Sequence, residues 1–507
     1  MLERRLIILS LAVFMLAGCQ SLNRDRASEG RTVILVTPNL DDDDGDGEPD
    51  AADDIVNGPL DRDDLTVVHV PGGVSGLEPR FLGSGADLYR ILDMEESASG
   101  STAVWIEAKG PKSASSKATL VFHGGTVNGK SLEFHLDIKP FMLTSSVDRA
   151  SEVFMVRVPD SETFIKDLES LLSSISNAPQ LTVLYNENGS ERDVWIQDAT
   201  EIGFFKDASI FAALAGLRAK HNNPKVNAKL LDRYFVKVFC GPNRCVLGIG
   251  EPLAERRWID WFGNLESTPP FVGANGREYP WGRILTGQQR ELSMHDSVME
   301  FLEAQGAQWP PIVLDTGFLA IGHIDEIVNF IPHGNGFKVV MASPALGRQL
   351  LEELAAEGHG EKVLLKGKSY LGGDVKGETT IAEALESSDL MGKNDKAAKI
   401  MKMNRNKLMR EMCLKDSDIV DLPVVITARG WTLWPNPVNG LVLGTHYVAP
   451  KPFGPMIDNH DPIEEVCRVA FSGAETTVHF LDVFDAYSSR LGEVHCGTNA
   501  VRHRRRP

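Results

Sequence analysis

The chain is 507 residues long, with 42% hydrophobic and 24% charged side chains and a formal net charge of −18. That length exceeds one ordinary core and calls for two or more domains, and the residue balance is that of a soluble globular protein. Nucleic acid is excluded as a direct partner: phosphate binding needs a basic face, and the one basic run, Arg502-His503-Arg504-Arg505-Arg506, is a short solvated tail.

In chain order, Arg4 and Arg5 precede an apolar run at 6–14, and Leu16-Ala17-Gly18-Cys19 follows. The pattern is that of residues 1–19 as a secretory signal ending in a bacterial lipobox, with an apolar run too short to span a membrane. On this reading Cys19 is acylated, becomes the mature N-terminus and is the only membrane attachment. Gln20 behind it points to the outer membrane. A plain signal peptide and a secreted protein are the alternative. Residues 20–31 are polar and read as a tether.

Thr32–Val36 reads as a strand, and it runs into a stretch at 41–64 that holds twelve Asp or Glu against one Arg. Asp42, Asp44, Asp46 and Gly47 fit D-x-D-x-D-G, with Asp53 at the twelfth position, a pattern that clusters hard oxygen ligands for calcium. The segment before it is a strand, so this is no EF-hand. Uncompensated, seven acidic residues between Asp41 and Asp50 would repel one another. Short β runs follow at Thr66–Val70, 103–108, 118–122 and 132–138, with one helix-period segment at 88–93. Strands at this spacing make 32–140 a small β-sandwich.

Beyond 141 strands and helices alternate: helix at 161–176, strand at 181–185, helix at 293–305, strand at Ile312–Asp315, then helices at 396–414 and 462–470. No Gly-x-Gly-x-x-Gly turn accompanies them, so 141–507 is α/β outside the dinucleotide-binding type. Six cysteines in this length are not a disulfide scaffold. Cys240 and Cys245 flank a turn-like Gly-Pro-Asn-Arg that an exported protein could bridge.

Three stretches carry the chemistry. In Gly492-Glu493-Val494-His495-Cys496-Gly497-Thr498-Asn499 a cysteine stands between an imidazole and a glycine. Alone it would be read as a small buried hydrophobe. A thiol nucleophile needs a positive neighbour or an incoming cation to lower its pKa. Trp195-Ile196-Gln197-Asp198 and Gly322-His323-Ile324-Asp325-Glu326 add an imidazole and two carboxylates, a set suited to a planar cation. The run 318–332 is β-like, and on a strand Ile321, His323 and Asp325 share one face.

These stretches resemble peptidylarginine deiminases, calcium-dependent members of the guanidine-modifying superfamily. The likeness takes in 195–203 (WIQDATEIG), 262–269 (FGNLESTP), 322–326 (GHIDE), 451–457 (KPFGPMI) and 492–499 (GEVHCGTN), in that order. It covers 140–507 and, more thinly, 30–140. The resemblance implies a five-bladed α/β propeller preceded by an immunoglobulin-like β domain, and hydrolytic deimination of arginine in proteins or peptides. By resemblance Cys496 is the nucleophile, His323 the general acid and base, and Asp198 and Asp325 the guanidinium-binding carboxylates. Trp195 and Ile321 wall the side chain, and Arg490 matches an arginine near the cleft. Calcium is implied at Gln197, Glu201, Phe262, Leu265 and Glu266, the carbonyls of Phe262 and Leu265 serving as ligands. In the acidic stretch it is implied at Asn39, Asp41, Asp43, Asp50, Asp53 and Asp64, a register that differs from D-x-D-x-D-G. A second calcium site beside the catalytic loop is put in doubt by Ala199, which stands where the family has glutamate. Deimination of a free small guanidine and a non-catalytic calcium-stabilised surface protein are the alternatives, and the oligomeric state is open.

Overall fold

A strand that alternates apolar and polar side chains must lay one face on a core, and where two such sheets meet their apolar faces share it. The computed structural model describes residues 24–26, 32–40 and 65–504, apart from 72–73, 75–76, 99, 128–129, 186–192, 208–209, 216–230, 232–234, 236–237, 251–254, 256 and 371–377. Cys19, Asp41, Asp43, Asp50, Asp53 and Asp64 lie outside the described residues. Contacts divide the chain into two units. The first takes the described residues of Met1–Pro38, Leu65–Gly110 and Ser115–Lys139, the second those of Asn39–Asp64, Pro111–Ala114 and Pro140–Pro507.

The first unit carries two sheets. One runs Arg24–Arg26, Thr32–Val36, Lys130–Ile138, Ala118–Val127, Glu78–Leu82, and the other Thr66–Val70, Thr102–Ala108, Tyr89–Glu96. Val36, Leu120, Phe122, Leu136 and Ile138 from the first and Val68, Val70, Val104 and Ile106 from the second form one buried cluster. The helical expectation at 88–93 is corrected: the segment is the strand Tyr89–Glu96 after a single turn at Ala86–Leu88. Ile91 pairs with Ile106 but Asp93 with Trp105, so one extra residue bulges out there. The bulge breaks the period-two alternation and gives the apolar residues a spacing like that of a helix.

The second unit repeats one motif. Among the described residues it has five sheets of three or four strands, besides a small ribbon at Phe271–Val272 and Glu278–Tyr279. In each, a central strand pairs antiparallel on one side and parallel on the other. The central strands are Arg149–Arg157, Phe211–Ala215, Ile284–Gln288, Gly336–Ser343 and His446–Pro450. A parallel neighbour needs a crossover. Helices Glu162–Ser174, Asp296–Gln305 and Pro462–Ser472 make three of them, and Pro344–Leu354 with Ser388–Met412 makes the crossover to Ile419–Pro423. Their apolar stripes pack on the sheets, as Phe164, Leu168 and Leu172 do on Val153 and Met155. The C-terminal strand Thr498–His503 pairs with Arg149–Arg157, so the last strand of this unit shares a sheet with one of its earliest. No helix among the described residues is long and apolar enough to cross a membrane.

One correction concerns the site. Residues 318–327 are not a strand. His323 caps a short turn, Ile324–Glu326, and the strand starts at Val328. Its backbone N–H donates to Glu326 Oε1 at 3.1 Å. A polar GHIDE run can thus satisfy its own backbone in a turn through a side chain three residues on.

Candidate active site

The repeat explains why distant stretches meet. The strand antiparallel to each central strand is preceded by a short irregular segment, and those five segments hold the functional side chains. Trp195 and Asp198 precede Thr200–Phe205, and Phe262–Asn264 precedes Leu265–Ser267. His323 and Asp325 precede Val328–His333, Asn436 and Asn439 precede Leu441–Leu443, and His495 and Cys496 precede Thr498–His503. Irregular backbone at a strand end lets side chains point off the sheet toward a ligand.

A cavity of about 250 Å³ is lined by Trp195, Asp198, Ile321, His323, Arg490 and Cys496, together with Trp258, Glu326, Tyr370 and Glu493. Asp325 lies behind the thiol: its Oδ2 is 3.6 Å from Cys496 Sγ. Asp198, His323, Asp325 and Cys496 are all buried. Burial pushes the Cys496 thiol well above its usual range, and the negative charges of Asp325 and Asp198 add to that. The resting thiol is therefore neutral. His323 Nε2 lies 2.7 Å from the Trp258 carbonyl and Nδ1 lies 3.4 Å from Asp198 Oδ1. A ring with acceptors at both nitrogens is best satisfied as the cation. Burial alone would lower its pKa, but Asp198, Asp325, Glu326 and the Trp258 carbonyl outweigh that, and the net shift is upward.

Two further carboxyls face this cavity, and the sequence did not announce their part in it. Glu326 is pushed to about 8 by burial, against His323, with Asp325 adding to the rise. Glu493 also reaches about 8 through burial, although Ser488 and the Asn436 N–H stabilise its ionised form. Asn439 is a third omission. Its Oδ1 accepts from Cys496 N–H at 3.2 Å, and its Nδ2 donates to the Asp325 carbonyl at 3.3 Å. Gly263 is a fourth: a Cβ there would lie 2.5 Å from His323 Nδ1 and 2.7 Å from Asp198 Oδ1. The FGNLE stretch was legible as a motif, but nothing in it told that its glycine sits against the imidazole. Arg490 Nη2 meets Asp160 Oδ2 at 3.1 Å.

Gln197, Glu201 and Glu266 line a second, small cavity of about 30 Å³ with His495 and Arg502. Gln197 Nε2 donates to Glu201. Burial and the neighbouring Glu266 push Glu201 well up, and burial carries Glu266 to about 7 despite His495. Glu266 Oε1 accepts no hydrogen bond. Phe262 and Leu265 bracket the adjoining turn, where the Phe262 carbonyl accepts from Leu265 N–H. Two carboxylates and an amide around a small space make a donor set that suits a hard divalent cation. Among the described residues no group of three or more His, Cys, Asp and Glu is disposed to hold a metal. Asn39 is buried in the second unit and lines neither cavity.

The family pattern of protein-arginine deiminases (PAD) matches residues 133–506. The chain belongs to this family. Mouse protein-arginine deiminase type-4 is 34% identical over 380 residues, 72% of this chain and 54% of that protein. The human type-3 enzyme is 34% identical over 383 residues with the same coverage. This deiminase-family chain thus spans about half the length of the curated relatives it matches. Among solved structures, an agmatine deiminase of C. jejuni aligns over 73% of this chain and 98% of its own, at 12% identity and a TM-score of 0.39.

Proposed function

We propose that the protein hydrolyses peptidyl-arginine to peptidyl-citrulline and ammonia in a calcium-dependent reaction through a thiouronium on Cys496. The observation that carries this reading is the meeting of Cys496, His323 and Asp198 on one cavity, with Asp325 against the thiol. Arginine's guanidinium is planar and permanently charged, so two carboxylates can fix its plane and aim its carbon at sulfur. Trp195 and Ile321 would flank that plane, the indole offering its π-face to the cation.

The burial that keeps the thiol neutral at rest also makes it responsive. A guanidinium arriving beside Asp198 and Asp325 cancels their field, the thiol releases its proton to solvent, and Sγ bonds to the guanidinium carbon as the C=N π pair moves onto nitrogen. The His323 imidazolium then donates to the departing nitrogen, the C–N bond breaks, and ammonia leaves a covalent thiouronium. A water next loses its proton to His323 and bonds to the same carbon. The C–S bond breaks as the C=O forms, the hydroxyl proton of the adduct passes to Sγ, and citrulline is released.

Gln197, Glu201 and Glu266, with the carbonyls of Phe262 and Leu265, would hold calcium. The ion would supply positive charge that relieves the Glu201–Glu266 repulsion and orders the loop bearing Asp198. Calcium in the 41–64 stretch, export and acylation of Cys19 at an outer membrane are parts of the same proposal. The five like sheets of the second unit support a five-bladed propeller, and the two-sheet first unit supports an immunoglobulin-like sandwich.

The test is citrulline formation by the purified chain on a blocked arginine peptide and on free arginine, each with calcium and with chelator. Turnover of the peptide that chelator abolishes is the expected result. Turnover mainly of free arginine would place the protein among small-guanidine deiminases. A folded chain inert on both would sink the deiminase reading.

A further inference from the structure

We propose that His495 is a positioning residue, whose imidazole ties the Glu201–Glu266 pair to the Asp325 carboxylate and holds Asp325 in the orientation that receives a guanidinium. The inference rests on the deiminase reading above. His495 is the neighbour of the thiol in sequence, yet its ring turns away from the substrate cavity and lines the small one. Nδ1 stands 3.0 Å from Asp325 Oδ2, and Nε2 stands 3.4 Å from Glu266 Oε1. Both partners are carboxyl oxygens on different repeats: the ring hydrogen-bonds Asp325 and lies within ion-pair range of Glu266.

The backbone fixes this placement from a third repeat. His495 N–H donates to the Asn439 carbonyl at 3.2 Å, Cys496 N–H to Asn439 Oδ1, and Asn439 Nδ2 to the Asp325 carbonyl. With the main chain of both residues held by one asparagine, the remaining freedom of Asp325 is rotation of its carboxylate. His495 Nδ1 removes that freedom by taking Oδ2. Oδ1 is buried and accepts no hydrogen bond, which leaves it to a ligand. No residue other than histidine presents two ring nitrogens that can reach both carboxylates at once. Asparagine can place an N–H near the Nδ1 position and glutamine one near the Nε2 position, so each keeps one half of the bridge.

The experiment uses the full chain and does not depend on turnover. Cys496 is alkylated with chloroacetamidine, a planar cation, and with chloroacetamide, its neutral counterpart, and labelling is followed by mass spectrometry of the Cys496 peptide. The ratio of the two rates reports how well the carboxylates are aimed. Losing a hydrogen bond to a charged group is worth about tenfold or more, so His495→Gln is expected to lower the ratio about tenfold while His495→Asn stays within about threefold of native. Glu266→Gln, at the far end of the ring, is expected to lower the ratio about threefold in the native background and to leave it unchanged in the His495→Asn background. Thermal melts establish which variants fold; should His495→Gln not fold, His495→Asn and Glu266→Gln carry the test. A native preference for the amidinium that survives in His495→Gln, or that Asn loses as fully as Gln, overturns the positioning role. A native protein without any such preference overturns the deiminase reading itself.

Discussion

Gly263→Ala adds one methyl group at the point where the FGNLE turn meets the His323–Asp198 pair. The new Cβ would stand 2.5 Å from His323 Nδ1 and 2.7 Å from Asp198 Oδ1, short of the 3.4 Å of ordinary contact by 0.9 and 0.7 Å. Gly263 is not among the glycines held at positive φ, so the methyl acts by contact and not by backbone strain. Crowding of this size in a packed site costs about 1–3 kcal/mol. The shorter list of unfolded conformations open to alanine returns about 0.4–1 kcal/mol of that. Stability should therefore fall only modestly. On the proposed mechanism function should fall far more, because His323 and Asp198 are displaced together, and a shift near 1 Å is worth about 100-fold. The assay is steady-state citrulline release from a blocked arginine amide beside a urea melt of the same preparation. A variant with kcat/KM within about threefold of native and an unchanged melt would refute the placement of His323 and Asp198 at the reacting centre.

Other perturbations follow from the same geometry. Gly492→Ala would bring a Cβ within 2.4 Å of the Trp195 ring, so the indole wall must tilt. A rise of KM of about tenfold with a smaller change of kcat is expected, and unchanged KM would remove Trp195 from substrate binding. Arg502, expected in a solvated tail, is instead buried in the strand Thr498–His503 and donates to the Ser146, Asp148 and Val442 carbonyls at 3.0, 3.0 and 3.1 Å. Arg502→Met should lose about 3 kcal/mol or more in urea unfolding, since it strands three carbonyls and removes a positive charge near Glu201 and Glu266. Glu493, lifted from 4.5 to about 8, binds a proton when folded that the unfolded chain has already released. Its contribution is thus full below about pH 4.5 and is lost as pH rises toward 8. Glu493→Gln should flatten the fall of stability between pH 5 and pH 8 in urea melts, and an unaltered slope would count against that burial.

The sequence by itself determined the family and most of the elements. Cys496, His323, Asp198 and Asp325 could be singled out because each stands in a short stretch of distinctive residue types, and the structure brings them together. The helix expected at 161–176 forms as Glu162–Ser174, and Ile312–Asp315 is the strand expected there, since period and turn residues are local properties. Family membership was legible for the same reason. Only the tertiary structure decided what those residues touch. The sheet repeat of the second unit has no sequence period, because the fold demands a pairing pattern and not particular side chains. The turn at His323 replaced an expected strand face, because the Glu326 carboxyl takes the His323 backbone N–H locally. Gly263, Asn439 and His495 acquire their meaning from contacts across the second unit, made over separations of up to 170 residues. Such contacts exist once the chain has closed on itself, and no window of sequence contains them.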